Sequence, residues 1–300
     1  MEQMYKGCSF MKKNKFILLL LGIIFIWFIF PLKANADIGP KPSIIINFNG
    51  LEGETYYVTL LSSTKTTGPY SALNDNNKSY AHYQEGDDDY EIFQAFAKYQ
   101  DSDSYYFLQY LQNSSETQTF SWTYYPPAEF KILIYFPETY SFIKSDSIYK
   151  RYAFDSYFTA EVSGTSITAK TSYDYSNELI SLVVRILLTI LIEVAIGFLF
   201  GFRERPLIKF IIIVNAVTQI ALNVALNIIN YKSGAMAFVI FYILFEIIIF
   251  IIESTLYNRY FKKNSKKEFS KYKPTVYALI ANSVSFALGL GLAYWIPGIF

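Results

Sequence analysis

Beyond residue 178 polar positions thin out and four apolar runs follow one another: 179–202, 207–229, 235–256 and 277–299. At 1.5 Å per helical residue, about 20 residues suffice to cross a hydrocarbon core of roughly 30 Å. The pattern predicts four transmembrane helices, with the stretch Asn230 to Gly234 as a short loop between the second and third. In the first run the polar exceptions Arg185, Thr189 and Glu193 are spaced i, i+4, i+8 on one face, which continues into Gly197 and Gly201. Asn215, Gln219 and Asn223 repeat that spacing in the second run. Glu246 and Glu253 share a face of the third, and Asn282 interrupts the fourth. Hydrocarbon satisfies none of these groups, so the stripes are expected to face one another. Counting depth along antiparallel spans places Glu193 level with Glu246, and Glu253 and Asn282 nearer the opposite surface from Arg185 and Asn223.

Ahead of residue 178 the period changes to two. Ser43 to Phe48 and Tyr56 to Leu61 are apolar runs bounded by turns. Phe120, Trp122 and Tyr124 alternate with polar residues, and Phe130, Ile132, Ile134 and Phe136 line one face of a further strand. Tyr152 to Val162 and Ile167 to Thr171 flank a Ser163-Gly164 turn and predict a closing hairpin. Ser62 to Asp89 is expected to be a long loop. Asp89 is then expected to cap a short helix from Tyr90 to Tyr99, whose Ile92, Phe93, Phe96 and Tyr99 fall at helical spacing. The fold class is thus multi-domain: a mainly β, sandwich-like extracellular domain over 37–178, then an α-helical four-span transmembrane bundle over 179–300.

The N-terminus supplies an address. Lys12, Lys13 and Lys15 precede an apolar run from Phe16 to Leu32, and Ala34-Asn35-Ala36 has the small-x-small form of a cleavage site. Residues 1–36 are expected to be a signal peptide, with Met11 an alternative start; the competing reading is an uncleaved anchor. Both export residues 37–178. Lysine and arginine concentrate at Arg203 to Lys209 and Arg259 to Lys273, so the positive-inside rule puts loops 203–206 and 257–276 in the cytoplasm. Tyr294, Trp295 and Pro297 fit an outer-interface anchor, with the C-terminus outside. The expected localisation is the plasma membrane of a Gram-positive-like cell, multi-pass.

Composition narrows the chemistry. A net charge of +1 gives no field for nucleic acid. Cys8 and His82 are each alone, so a disulfide and a cysteine or histidine-cluster metal centre are excluded, as is a Ser-His or Cys-His device in the membrane segments. No catalytic motif stands out, no cofactor is implied, and the balance leans away from an enzyme. In the exported segment Glu85, Asp87, Asp89, Asp101 and Asp103 are candidate calcium ligands, although their spacing is not that of an EF-hand loop and acidic runs are usually solvated loops. Its tyrosines and tryptophan suit a cell-wall glycan or protein ligand, whereas Phe120, Trp122, Phe130 and Phe136 read as core. The intramembrane candidates Arg185, Thr189, Glu193, Asn215, Gln219, Asn223, Glu246, Glu253 and Asn282 admit two roles: a path for a cation or proton, or interhelical hydrogen bonds that fix the bundle. The expected function is an external binding or sensing module tethered to a polar-cored bundle in the lipid bilayer. The alternatives are a small channel or transporter subunit using Glu193 and Glu246, which a homo-oligomer could complete, and a membrane enzyme of unrecognised type.

Several stretches carry a resemblance: ADIGPKPS, SWTYYPPAEFKILIYFPE and YAFDSYF before residue 178, RILLTILIEVAIGFLFGFR and NAVTQIALN after it. In these the chain resembles a group of uncharacterised bacterial integral membrane proteins with a signal peptide, a Tyr-rich extracellular domain and C-terminal transmembrane helices. The resemblance implies the same layout and adds no substrate or catalytic residue.

Overall fold

The structure, a computed structural model, describes residues 39–73 and 83–295. The expected signal peptide, Cys8, His82, Pro297 and the side chains of Tyr294 and Trp295 lie outside the described residues. The β-rich region precedes the helices, and both belong to one compact unit that begins at Pro40.

Period-two patterning in the first half produces two sheets. In one, β12 (Ser166–Thr171), β11 (Asp155–Ser163), β1 (Ser43–Asn49) and β7 (Thr119–Trp122) lie in that order. The other runs β10 (Tyr149–Lys150), β8 (Glu129–Phe136), β2 (Tyr57–Ser62) and β5 (Tyr106–Phe107), with β6 (Gln112–Asn113) also on β2 and β9 (Ser141–Lys144) also on β8. The expected β11–β12 hairpin is present, with Val162 opposite Ile167. The long loop after β2 contains its own small pair, β3 (Thr66–Thr67) and β4 (Tyr70–Ser71). β1 pairs parallel to β11, with Ile44 opposite Ser156. A parallel pair requires a crossover, which local turn signals do not announce.

The inner faces of the sheets meet in a core of Ile44, Ile46, Phe120 and Trp122 against Val58, Leu60, Phe130, Ile132 and Ile134, all 0 % exposed. Phe136 packs at its edge. The outer face of the second sheet is covered by α1 (Tyr90–Lys98), whose Phe93 and Phe96 pack on Tyr57, Leu61, Leu133 and Tyr135. The three layers explain why β2 is buried at every position: a strand covered on both faces reads as a continuous apolar run. Asp89 precedes α1 with φ 60 and makes no side-chain cap. It accepts the Tyr57 hydroxyl at 2.7 Å instead, which fastens the helix to the sheet and corrects the expected cap.

Among the described residues two helices are long and apolar enough to cross a membrane, Glu178–Leu199 and Arg205–Asn264, where the apolar pattern predicts four separate spans. The first belongs to α2 (Tyr175–Leu199) and the second is α3 (Arg205–Asn264); α4 (Lys273–Trp295) follows. α2 ends at Gly201, φ 77, where the Phe202 N–H reaches the Gly197 carbonyl at 2.9 Å and the Gly201 N–H reaches Phe198 at 3.0 Å, a Schellman motif. The predicted loop from Asn230 to Gly234 is not a loop. Helix continues to Gly234, where a single residue at φ 78, ψ 179 breaks the 60-residue run. The halves then fold back on each other, since Phe210 stacks on Tyr260 and Thr218 bonds Glu253. The expected second and third spans are thus two arms of one helical hairpin.

Candidate functional site: a polar seam beneath a docked β-rich region

The connection between β10 and β11 reaches the break in α3. Phe154 donates its N–H to the Tyr231 carbonyl at 2.8 Å, and its own carbonyl accepts from the Ser43 N–H at 2.9 Å, which pins it between β1 and the hairpin tip. Its ring lies over Gly234, where an added Cβ would stand 2.5 Å from a ring carbon. Glycine is therefore required there twice, by the positive-φ backbone and by the ring. Tyrosines surround the joint, with Tyr231 5.4 Å from Tyr173 and 6.3 Å from Tyr152 between ring centroids. The Tyr173 hydroxyl bonds the Glu178 carboxylate at the start of α2; burial first, and then that bond, raise the Tyr173 phenol.

Beneath this joint a cavity of about 440 Å³ is lined by Tyr157, Tyr173, Asp174, Glu178, Arg185 and Asn230 among others. Arg185 also lines a second cavity of about 240 Å³, together with Gln219, Asn223, Leu226 and Tyr242. Its Nε lies 3.4 Å from the Ser181 carbonyl. Asn223 donates to the Gln219 carbonyl at 2.8 Å, so these two amides are partly spent on their own helix.

Further along the bundle the polar groups close on one another. The Thr218 hydroxyl lies 2.8 Å from Glu253 Oε1, and Asn282 of α4 donates to Glu253 Oε2 at 2.8 Å. One turn deeper, Asn215 donates to Glu193 Oε2 at 2.8 Å, with the Tyr257 hydroxyl 3.0 Å from the same nitrogen. The Tyr277 hydroxyl donates to the Glu193 backbone carbonyl at 3.1 Å. Glu193, Asn215 and Glu253 are all 0 % exposed. Past them the seam ends in packed rings: Phe202 lies 4.7 Å from Phe261 and 5.4 Å from Tyr277, and Tyr257 lies 5.3 Å from Phe261.

The candidates thus divide. Glu193, Asn215, Glu253 and Asn282 come together in the seam. Arg185, Gln219 and Asn223 line the outer cavity, and Thr189 is half-buried on α2 between the two groups. Glu246 is not level with Glu193. It lies seven residues outward of Glu253, beside a cavity of about 190 Å³ that Asn282 and Ser283 also line. The depth count placed Glu193 too far out: it bonds Asn215, about one turn beyond the Thr218–Glu253 contact and further still from Glu246.

The calcium candidates fall into two groups. Asp101 and Asp103 pair with Lys144 and Lys131, whereas Glu85, Asp87 and Asp89 line one surface hollow in which Asp87 accepts the Gln84 N–H at 2.8 Å and Asp89 holds Tyr57. Among the described residues no group of three or more carboxylate, histidine or cysteine side chains is placed to hold a metal. Phe154, Tyr231, Gly234, Tyr257 and Tyr277 escaped the pattern. The signal for Gly234 was a lone glycine between two apolar runs; nothing sets Tyr257 and Tyr277 apart from the other aromatic residues of their helices. Comparison with known proteins finds no matching family model, no matching curated protein and no matching solved structure.

Proposed function

We propose that this chain is a multi-pass plasma-membrane protein whose external β-rich domain binds or senses a ligand and passes its state to a polar-cored helix bundle. The observation that carries this reading is the seat of Phe154 on Gly234, a direct bond and ring contact between the β region and the tip of the α3 hairpin. A module that only decorated the bundle would need no such joint. In this reading both arms of α3, α2 and α4 cross the bilayer, loops 203–206 and 257–276 are cytoplasmic, and both the β region and the C-terminus are outside. The ligand class is a cell-wall glycan or a wall-associated protein, met by exposed tyrosines such as Tyr124 and Tyr140. The full chain in detergent is expected to be retained on purified cell-wall sacculi. Binding is expected to slow amide exchange around Tyr231 to Gly234 in the wild type, and Phe154→Ala is expected to keep the retention while losing the slowed exchange. Absence of retention on sacculi and on wall-protein extracts would sink the binding-module reading.

One observation favours a second reading, passage of a cation or proton. Glu246 Oε2 is buried without a hydrogen-bond partner beside its cavity. Liposomes carrying the wild type are then expected to show a flux that Glu246→Gln abolishes. The packed rings beyond Glu193 speak for a closed seam, and for the first reading.

A further inference from the structure

The two carboxyl groups at the heart of the bundle are furnished differently. Glu253 has a polar partner at each oxygen, the Thr218 hydroxyl 2.8 Å from Oε1 and the Asn282 amide on Oε2. The one Thr218 proton also has the Val214 carbonyl at 3.0 Å, so the hydroxyl can donate there and accept from the acid, and these contacts suit either charge state of Glu253. Glu193 has one donor, Asn215 Nδ2, on Oε2, while its Oε1 is buried with no partner. Asn215 Oδ1 is likewise buried with no partner. The amide cannot be turned to remedy this, because Nδ2 also donates to the Ile211 carbonyl at 3.1 Å, and a carbonyl only accepts. Each member of the Glu193–Asn215 pair therefore carries one satisfied and one orphaned atom, and both orphans are oxygens. An acid and an amide form a two-bond ring when the acid keeps its proton: the amide N–H donates to one acid oxygen, and the acid O–H donates to the amide oxygen.

We propose that Glu193 is a proton-binding site, holding the proton on Oε1 toward Asn215 Oδ1. The charged and titratable groups that face this site are Glu246, Glu253 and Tyr257 from the second arm of α3 and Tyr277 from α4; the first arm contributes Asn215. None of them is cationic. Arg185 lies on the same helix about 12 Å outward, too far to serve as a counter-charge. The Tyr277 hydroxyl is committed to the Glu193 backbone carbonyl. A proton is the smallest positive charge that satisfies both orphaned oxygens at once, and an orphaned buried acceptor is costly enough to select for it. The site belongs to the bundle alone and does not depend on what the outer domain binds.

Two substitutions at Glu193 test the proton. Glu193→Gln copies the protonated acid, with an amide N–H replacing the acid O–H, and is expected to melt within about 2 °C of the wild type. Glu193→Leu leaves the Asn215 amide without either acid oxygen, and is expected to melt about 5 °C or more lower. Infrared spectra of the full chain in detergent near neutral pH, well above the roughly 4.3 of a solvated glutamate, are expected to show the carbonyl band of a protonated carboxylic acid. That band is expected to persist in Glu246→Gln and to vanish in Glu193→Gln. Equal destabilisation by glutamine and leucine at position 193 would overturn the assignment. So would absence of the band from the wild type, a measurement that needs no variant to fold, or its loss in Glu246→Gln instead. A melting temperature that shifts when sodium is exchanged for N-methylglucamine at constant pH would also overturn it, by placing a metal cation where the proton is assigned.

Discussion

Replacing Gly234 with alanine is expected to destabilise the protein by about 3 kcal/mol and to loosen the β region from the bundle. Two costs act at this residue. Gly234 sits at φ 78, ψ 179, a backbone region essentially confined to glycine, where a side chain costs roughly 1–3 kcal/mol. The added methyl also meets the Phe154 ring at 2.5 Å, and forcing extra volume into a packed contact costs about 1–3 kcal/mol. The ring has little room to yield, because the Phe154 backbone is bonded on one side to Ser43 and on the other to Tyr231. The costs separate in a double-mutant cycle. Phe154→Ala in the Gly234→Ala background is expected to restore the ring term and leave the backbone term, a coupling of about 1–2 kcal/mol. Thermal melts of the four proteins in detergent, with amide exchange at Tyr231 as the local readout, measure both. A Gly234→Ala protein that melts with the wild type and keeps Tyr231 protected would remove the joint from the mechanism.

How much of this was legible beforehand depends on the range of the interaction concerned. The alternation of Phe130, Ile132 and Ile134 placed them on one face of a strand, and they are core; the period of a single strand suffices for that. The i, i+4 stripes likewise brought Glu193, Asn215, Glu253 and Asn282 into one seam, since each helix had to hide its polar face. Whatever depends on how one element slides along another was not legible. The parallel pairing of β1 with β11 joins strands more than a hundred residues apart. The depth of Glu193 depends on where the Schellman turn at Gly201 sets the end of α2 and the break at Gly234 sets the tip of the α3 hairpin. The break itself hid inside a polar stretch that reads equally as a loop, because one glycine reverses the chain without any other residue leaving the helix. Asp89 failed as a cap for a similar reason: a tertiary partner, the Tyr57 hydroxyl, claimed its side chain.

Asp101→Ala is expected to cost about 3 kcal/mol at neutral pH and to change the acid limb of the stability curve. The Asp101 carboxylate is 0 % exposed and pairs with Lys144, while Lys131, itself 2 % exposed, lies 4.0 Å away and pairs with Asp103. Asp101 also accepts the Tyr105 N–H at 3.1 Å and the Asp103 N–H at 3.2 Å. Truncation leaves these donors without their acceptor at the edge of the second sheet, and removing one member of a buried pair costs about 3–5 kcal/mol. The value falls at the lower end because Asp103 remains to hold Lys131. Burial raises the Asp101 carboxyl, but the Lys144 hydrogen bond, the Tyr105 N–H and Lys131 together outweigh it and hold the group below its ordinary value. A carboxyl whose folded value lies below the unfolded one, about 3.9, stabilises the fold at every pH above that and loses its contribution as pH falls through the folded value. The difference between wild type and Asp101→Ala is therefore expected to be constant from neutral pH down to about 4 and to shrink below it. Because lysines already occupy Asp101 and Asp103, a calcium chelator is expected to leave the melting temperature of the wild type unchanged. A fall in melting temperature on chelation, or a mutant deficit that persists undiminished below about pH 4, would return these aspartates to a role as metal ligands or solvated loop charges.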